Sequence, residues 1–144
     1  MRNTLHERLT QLRGIRCSSV EGVAYEAPPA DGVYAVGTAV SFNDGTKLAA
    51  QFWRLIKGNR PLVSIFDHRQ KYGLPAPVDA IQLLKSELEG NVIISAEMSE
   101  TTGDLHFHFE REIKLEVFNF TAFEIWELTF ADGTGELSNY ALDG

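Results

Sequence analysis

Leu5, Leu9 and Leu12 recur at i, i+4 and i+7, which lines them along one stripe of a helix; Gly14 follows as its C-cap. A helix over Thr4–Arg13 is therefore predicted. The pattern then turns to strands. Ile15–Val20 is short, and Tyr34–Phe42 and Thr46–Ile56 flank Asn43-Asp44-Gly45. That trio suits a three-residue hairpin loop with Gly45 left-handed, so Phe42 should face Thr46 and Val40 should face Leu48. Leu62–Asp67 is a further strand after Gly58-Asn59-Arg60-Pro61.

The same order follows Pro77. Ile81, Leu84 and Leu88 make a stripe at i, i+3 and i+7, Asp79 stands where a carboxylate caps a helix, and Gly90 closes it. This predicts a helix over Val78–Glu89. Val92–Met98 and Leu105–Phe109 alternate, and Ile113–Val117 resumes the alternation after Glu110-Arg111-Glu112. A three-residue loop pairs Phe109 with Ile113, Phe107 with Leu115 and Leu105 with Val117, all apolar. Glu124–Phe130 is the next strand, with a turn at Ala131-Asp132-Gly133.

The expected fold is α+β, a mainly antiparallel sheet with two helices, arranged as a duplicated αβββ unit. Gly14 matches Gly90 at an offset of 76; Phe42, Lys47 and Leu48 match Phe109, Lys114 and Leu115 at an offset of 67. The chain is expected to form a single domain over 1–144, with pseudo-repeats at about 1–72 and 77–144. The 144 residues suffice for one core. The most linker-like stretch, Glu21–Gly32, is too short to separate two domains.

Composition narrows the function. A net charge of −7 argues against general nucleic-acid binding. The lone cysteine, Cys17, forms no disulfide within the chain, and no apolar run reaches membrane-spanning or signal-peptide length. A cytosolic location with no membrane partner is the expectation. Charge is uneven: residues 97–144 carry eleven carboxylates against Arg111 and Lys114, whereas Arg54–Lys71 carries five Lys or Arg against Asp67 alone. An acidic half can steer a basic partner, and it also serves solubility.

Leu88-Glu89-Gly90, the run Gly103-Asp104-Leu105-His106-Phe107-His108-Phe109, Leu115-Glu116-Val117 and Phe123-Glu124-Ile125-Trp126-Glu127-Leu128 carry a likeness. With these motifs the stretch 84–133 resembles a widespread bacterial domain family of unknown function. Its pattern is a Gly-Asp-Leu-x-Phe-x-Phe hairpin followed by an aromatic-Glu-x-Trp run. Leu12-Arg13-Gly14 and Val40-Ser41-Phe42-Asn43-Asp44-Gly45 echo it in the first half. The resemblance implies a small cytosolic protein, similar to immunity proteins of bacterial toxin systems, and it brings no catalytic residues. The chain departs from the pattern where Arg111-Glu112 stands in place of Asp-Gly, which predicts a different loop shape.

Each candidate for chemistry has a plainer counterpart. His106 and His108 share one strand face, and with Glu110 they make a zinc-like set. The hairpin register sets Lys114 opposite His108 and Glu116 opposite His106, which favours a solvated face over a metal site; no metal and no cofactor are expected. Cys17 alternates with Ile15 and reads as buried rather than nucleophilic. The run from Asp67 to Tyr72 is a polar loop at a strand end, where binding residues often sit. Phe118 falls on the outer phase with Lys114 and Glu116 and marks an interface candidate. Strands 105–117 lack proline and lysine runs, so an open edge there predicts a two-fold dimer through Lys114, Glu116 and Phe118.

No glycine-rich phosphate loop, paired-cysteine motif or nucleophile elbow occurs. Two functions remain. The first is a non-catalytic, immunity-like domain that binds a protein partner. The second is a small-molecule binder or enzyme whose site lies between the halves, where His68, Arg69, Tyr72, His106 and His108 would converge.

Overall fold

The computed structural model describes residues 2–26, 34–119 and 125–137. Among them are two helices, α1 (Arg2–Thr10) and α2 (Ala80–Leu88), and ten strands. The strands are β1 (Cys17–Glu26), β2 (Tyr34–Phe42), β3 (Lys47–Ala50), β4 (Trp53–Lys57), β5 (Arg60–Ser64), β6 (Ile93–Met98), β7 (Leu105–Phe109), β8 (Ile113–Val117), β9 (Trp126–Thr129) and β10 (Gly135–Leu137). They form two five-stranded antiparallel sheets, ordered β1-β2-β3-β9-β10 and β5-β4-β8-β7-β6. This is the expected α+β, mainly antiparallel architecture. No described helix is long and apolar enough to cross a membrane.

Both hairpin registers follow the alternation. Val40 faces Leu48, the Phe42 amide donates to the Thr46 carbonyl, and Phe107 faces Leu115. Gly45 is left-handed at φ 97°, as a three-residue loop requires. In the second loop both Arg111 (φ 63°) and Glu112 (φ 59°) are left-handed, whereas in the first only Gly45 is. Asp79 accepts the Gln82 amide at 2.9 Å and caps α2, and Gly90 leaves that helix at positive φ; α1 ends at Thr10, short of the expected Arg13, and Gly14 closes the turn that follows, also at positive φ.

Three strand boundaries differ from expectation. β1 runs on through Glu26, into the stretch read as a linker; residues 27–32 of that stretch lie outside the described residues, as does Glu124, the expected start of the strand found as β9. Thr46–Ile56 is two strands in different sheets. The buried residues explain this: Leu48 and Ala50 are followed by Trp53 and Leu55, a phase slip that a single strand cannot make. Beyond Ser64, Ile65–Asp67 coils into a 3-10 turn whose Asp67 carboxylate accepts the Ser64 amide at 2.8 Å.

The order of one helix and five strands occurs on both sides of the chain, longer than the αβββ expected. Each sheet takes its first three strands from one side and a terminal hairpin, β4–β5 or β9–β10, from the other. Where the sides meet, Arg16 bridges Val92. The amides of Gly14 and Gly90 donate to the carbonyls of Ile93 and Cys17 at 2.8 and 2.9 Å. Those of Cys17 and Ile93 donate to Asn91 and Ile15, both at 2.8 Å. Each helix also holds the exchanged hairpin: Arg8 pairs with Asp132 at 2.9 Å, and Glu87 with Lys57 at 3.2 Å.

One buried cluster joins the inner faces of both sheets and the helix stripes. Phe42 and Phe107 stack across the sheets at 6.3 Å. The indole of Trp53 donates to the Thr38 hydroxyl and that of Trp126 to the Gly103 carbonyl, both at 2.9 Å, so neither buried N–H is orphaned.

Candidate functional site

The outer face of the second sheet gathers most of the polar candidates. Its ladder sets Glu97, His106, Glu116, Arg54 and Ser64 in one row across five strands, and Ser95, His108, Lys114 and Ile56 in the next. Directly opposed side chains on such a face touch. Glu116 is only 7% exposed. Arg54 donates Nε at 2.8 Å and Nη2 at 2.6 Å to its Oε1. His106 Nδ1 and Lys114 Nζ approach its Oε2 at 3.4 and 3.5 Å. Burial alone would push the Glu116 carboxyl up; the Arg54 hydrogen bonds and charge, with Lys114 and His106 behind them, outweigh it and hold the group below its usual value. Glu116 is thus not part of a solvated face, and its charge is met within its own chain. His108 Nε2 lies 3.1 Å from Glu97 Oε1.

A cavity of about 320 Å³ opens beside this row, lined by Glu97, Met98, Ser99, His106, His108 and Lys114. Among the described residues no group of three or more His, Cys, Asp or Glu is placed to hold a metal. Phe118 is half-buried, with the Arg54 guanidinium 5.2 Å above its ring. Strands 105–117 have no open edge, because β6 covers β7 and β4 covers β8. The self-association argued from such an edge loses that support, since β5 and β6 are the edges.

His68, Arg69 and Tyr72 lie elsewhere. They follow β5, which is separated from β7 by β4 and β8, a span of about 14 Å at ordinary strand spacing. His68 turns toward α2: its Nδ1 accepts the Ala80 amide at 3.1 Å, so it serves as a second cap on that helix. The five residues expected to converge between the halves therefore form two groups. The meeting line itself is closed by backbone hydrogen bonds.

The group after β5 belongs to a surface that runs along that strand and the loop following it. Leu55 faces Val63 while Ile56 faces Pro61, so Leu62 sits in a bulge on an edge strand. Leu62, Phe66, Tyr72 and Leu74 are 42, 61, 65 and 49% exposed. These are large apolar groups left in water over a short stretch of chain. The loop is not slack. Arg69 donates to the Val78 carbonyl and Val78 to that of Gln70, each at 2.8 Å. The Tyr72 hydroxyl donates to Asp67 Oδ1 at 2.8 Å, and Phe66 stacks on Phe52 at 5.6 Å. Arg69 and Tyr72 are held left-handed at φ 69° and 47°, a conformation that costs side chains roughly 1 kcal/mol each. Arg60, Arg69 and Lys71 are exposed and make no ion pair among the described residues.

Two other features are accounted for. Cys17 is buried, and its thiol is pushed up to about 12, first by burial and then by the Glu89 carboxylate, so it holds no thiolate at neutral pH. On the first sheet a groove of about 360 Å³ is lined by Gly37, Ala39, Ala49, Val23, Ile125 and Leu137 among others.

Three participants escape the sequence pattern. Arg54 reads there only as charge; its outward phase between buried Trp53 and Leu55 is the signal that could have found it. Leu62 and Phe66 read as strand residues, and only the bulge and the 3-10 turn expose them. Compared with family models, curated proteins and solved structures, the chain matches none.

Proposed function

We propose that the chain is a non-catalytic protein-binding domain, single over its length and built from a duplicated unit. The observation that carries the binding is the surface of Leu62, Phe66, Tyr72 and Leu74, exposed on a loop whose backbone is held in place. Exposed aromatic and aliphatic side chains on a preorganised frame are what a binding hot spot needs, because little entropy remains to be lost on contact. The matching element order and the paired hydrogen bonds at Arg16 and Val92 support the duplication. The Gly-Asp-Leu-x-Phe-x-Phe hairpin supports an immunity-like role in the cytosol. A Leu62→Asp/Phe66→Asp chain should keep its far-UV dichroism and melting point yet lose its partner in pull-downs from native cells. Unchanged capture by that variant contradicts the reading.

The cavity beside His106, His108 and Lys114 favours a second reading, a small-molecule site. Ligand-induced amide shifts confined to β6–β8 would support it. A two-fold dimer through the half-exposed Lys114 and Phe118 belongs to the first reading. It is checked by sedimentation: a 16.0 kDa species at micromolar concentration contradicts it.

A further inference from the structure

We infer that the partner of the β5–loop surface is an acidic protein segment bearing apolar side chains, docked through side chains rather than by strand addition. This rests on the protein-binding reading above. Between residues 58 and 78 Asp67 is the only carboxylate. It bonds the Ser64 amide and the Tyr72 hydroxyl, each at 2.8 Å, and pairs with no cation among the described residues; with Asp79, 3.9 Å from His68, it offsets two of the positive charges and leaves the surface net positive. Arg54 is taken by Glu116 and Lys57 by Glu87, whereas Arg60, Arg69 and Lys71 are left without an ion-pair partner among the described residues. The surface is thus locally basic on a chain of net charge −7. At physiological salt, charges are screened within about 8 Å, so the local cations decide what docks there.

The apolar groups stand between those cations in sequence: Leu62 and Phe66 between Arg60 and Arg69, then Tyr72 and Leu74 after Lys71. A partner complementary to both must alternate carboxylates with apolar anchors. Strand addition is disfavoured because Pro61 lacks an N–H and Leu62 bulges out of the ladder on this edge. Nucleic acid fits poorly, since three free cations offer its backbone few phosphate contacts and the apolar anchors between them offer it none.

The test is selection of random dodecapeptides displayed on phage against the immobilised full chain, followed by calorimetry and amide-shift mapping of the best synthetic peptide. The expected peptides are rich in Asp or Glu together with Leu or aromatic residues. They should shift amides within 60–74 and weaken about tenfold or more in an Arg60→Glu/Arg69→Glu/Lys71→Glu chain. If that chain does not fold by dichroism, Arg60→Glu/Lys71→Glu carries the same test without touching the left-handed position. Peptides that map to 60–74 with no acidic excess and no sensitivity to charge reversal overturn the acidic partner and leave the binding surface standing. Peptides that map elsewhere, or no binders at all, overturn both. Binding of oligothymidine at 60–74 in place of peptides overturns the proposal in favour of nucleic acid, and concentration-dependent growth in light scattering, abolished by the same reversal, overturns it in favour of a second copy.

Discussion

The outer face of β6–β8 and the surface from β5 to Leu74 hold opposite kinds of residues and do opposite things with them. The β6–β8 face has the makings of a functional site: two histidines, a lysine and glutamates in register. Yet its central carboxylate is buried and met by Arg54, His106 and Lys114 of the same chain. The β5 surface has the sequence of an ordinary loop, but among the described residues it leaves three cations without ion pairs and its apolar side chains in water. Interactions already satisfied inside a fold offer little to a partner. Those left unsatisfied on a rigid frame are available to one.

This contrast predicts that polar residues matter for stability on one side, while apolar residues barely matter on the other. Arg54→Met should cost about 2–3 kcal/mol in urea unfolding at neutral pH, because it takes the nearest cation from a buried carboxylate and leaves it only His106 and Lys114 at 3.4 and 3.5 Å, and adding Glu116→Gln should recover most of that loss. The pH dependence follows from the same pair. The folded Glu116 carboxyl lies below its usual value, so its contribution is present above the unfolded value and lost as pH falls through the folded one. Glu116→Gln should therefore flatten the loss of stability below about pH 4 relative to the parent chain. His68→Ala removes an acceptor for the α2 amides and should cost about 1 kcal/mol in the same unfolding experiment.

Replacing Arg111-Glu112 with Asn-Gly tests the loop of the ladder face alone. Both residues are left-handed there, so the change should stabilise the chain by about 1 kcal/mol with its registers intact. The smallest effect belongs to the other surface. Leu62→Ser and Leu74→Ser should each change stability by less than about 0.5 kcal/mol, although each removes a leucine. A loss above about 2 kcal/mol, on the order of a buried leucine, would mean that this surface is core and would end the comparison.

Much of the fold was legible because its rules are local. Period-two alternation set both hairpin registers down to His108 against Lys114, and Asp79 and Gly90 marked the ends of α2. Sheet membership was not legible. Pairing β4 with β8 joins residues 62 apart, such as Arg54 and Glu116, and no local pattern encodes that closure. The slip from Ala50 to Trp53 was the visible trace of the crossing between sheets. For the same reason the polar face was readable while its keystone Arg54 was not. Phe66 was opaque in another way: an alternating run predicts which phase a residue takes, but not that the strand ends at Ser64 and turns the next phenylalanine to water.

The most direct test of the binding surface is photo-cross-linking in native cells, with benzoylphenylalanine placed at Phe66 in one chain and at His108 in another. The account predicts a discrete adduct from position 66 that vanishes when Leu62 and Leu74 are replaced by Asp, and none from position 108. A discrete adduct from position 108 with none from position 66 would contradict it.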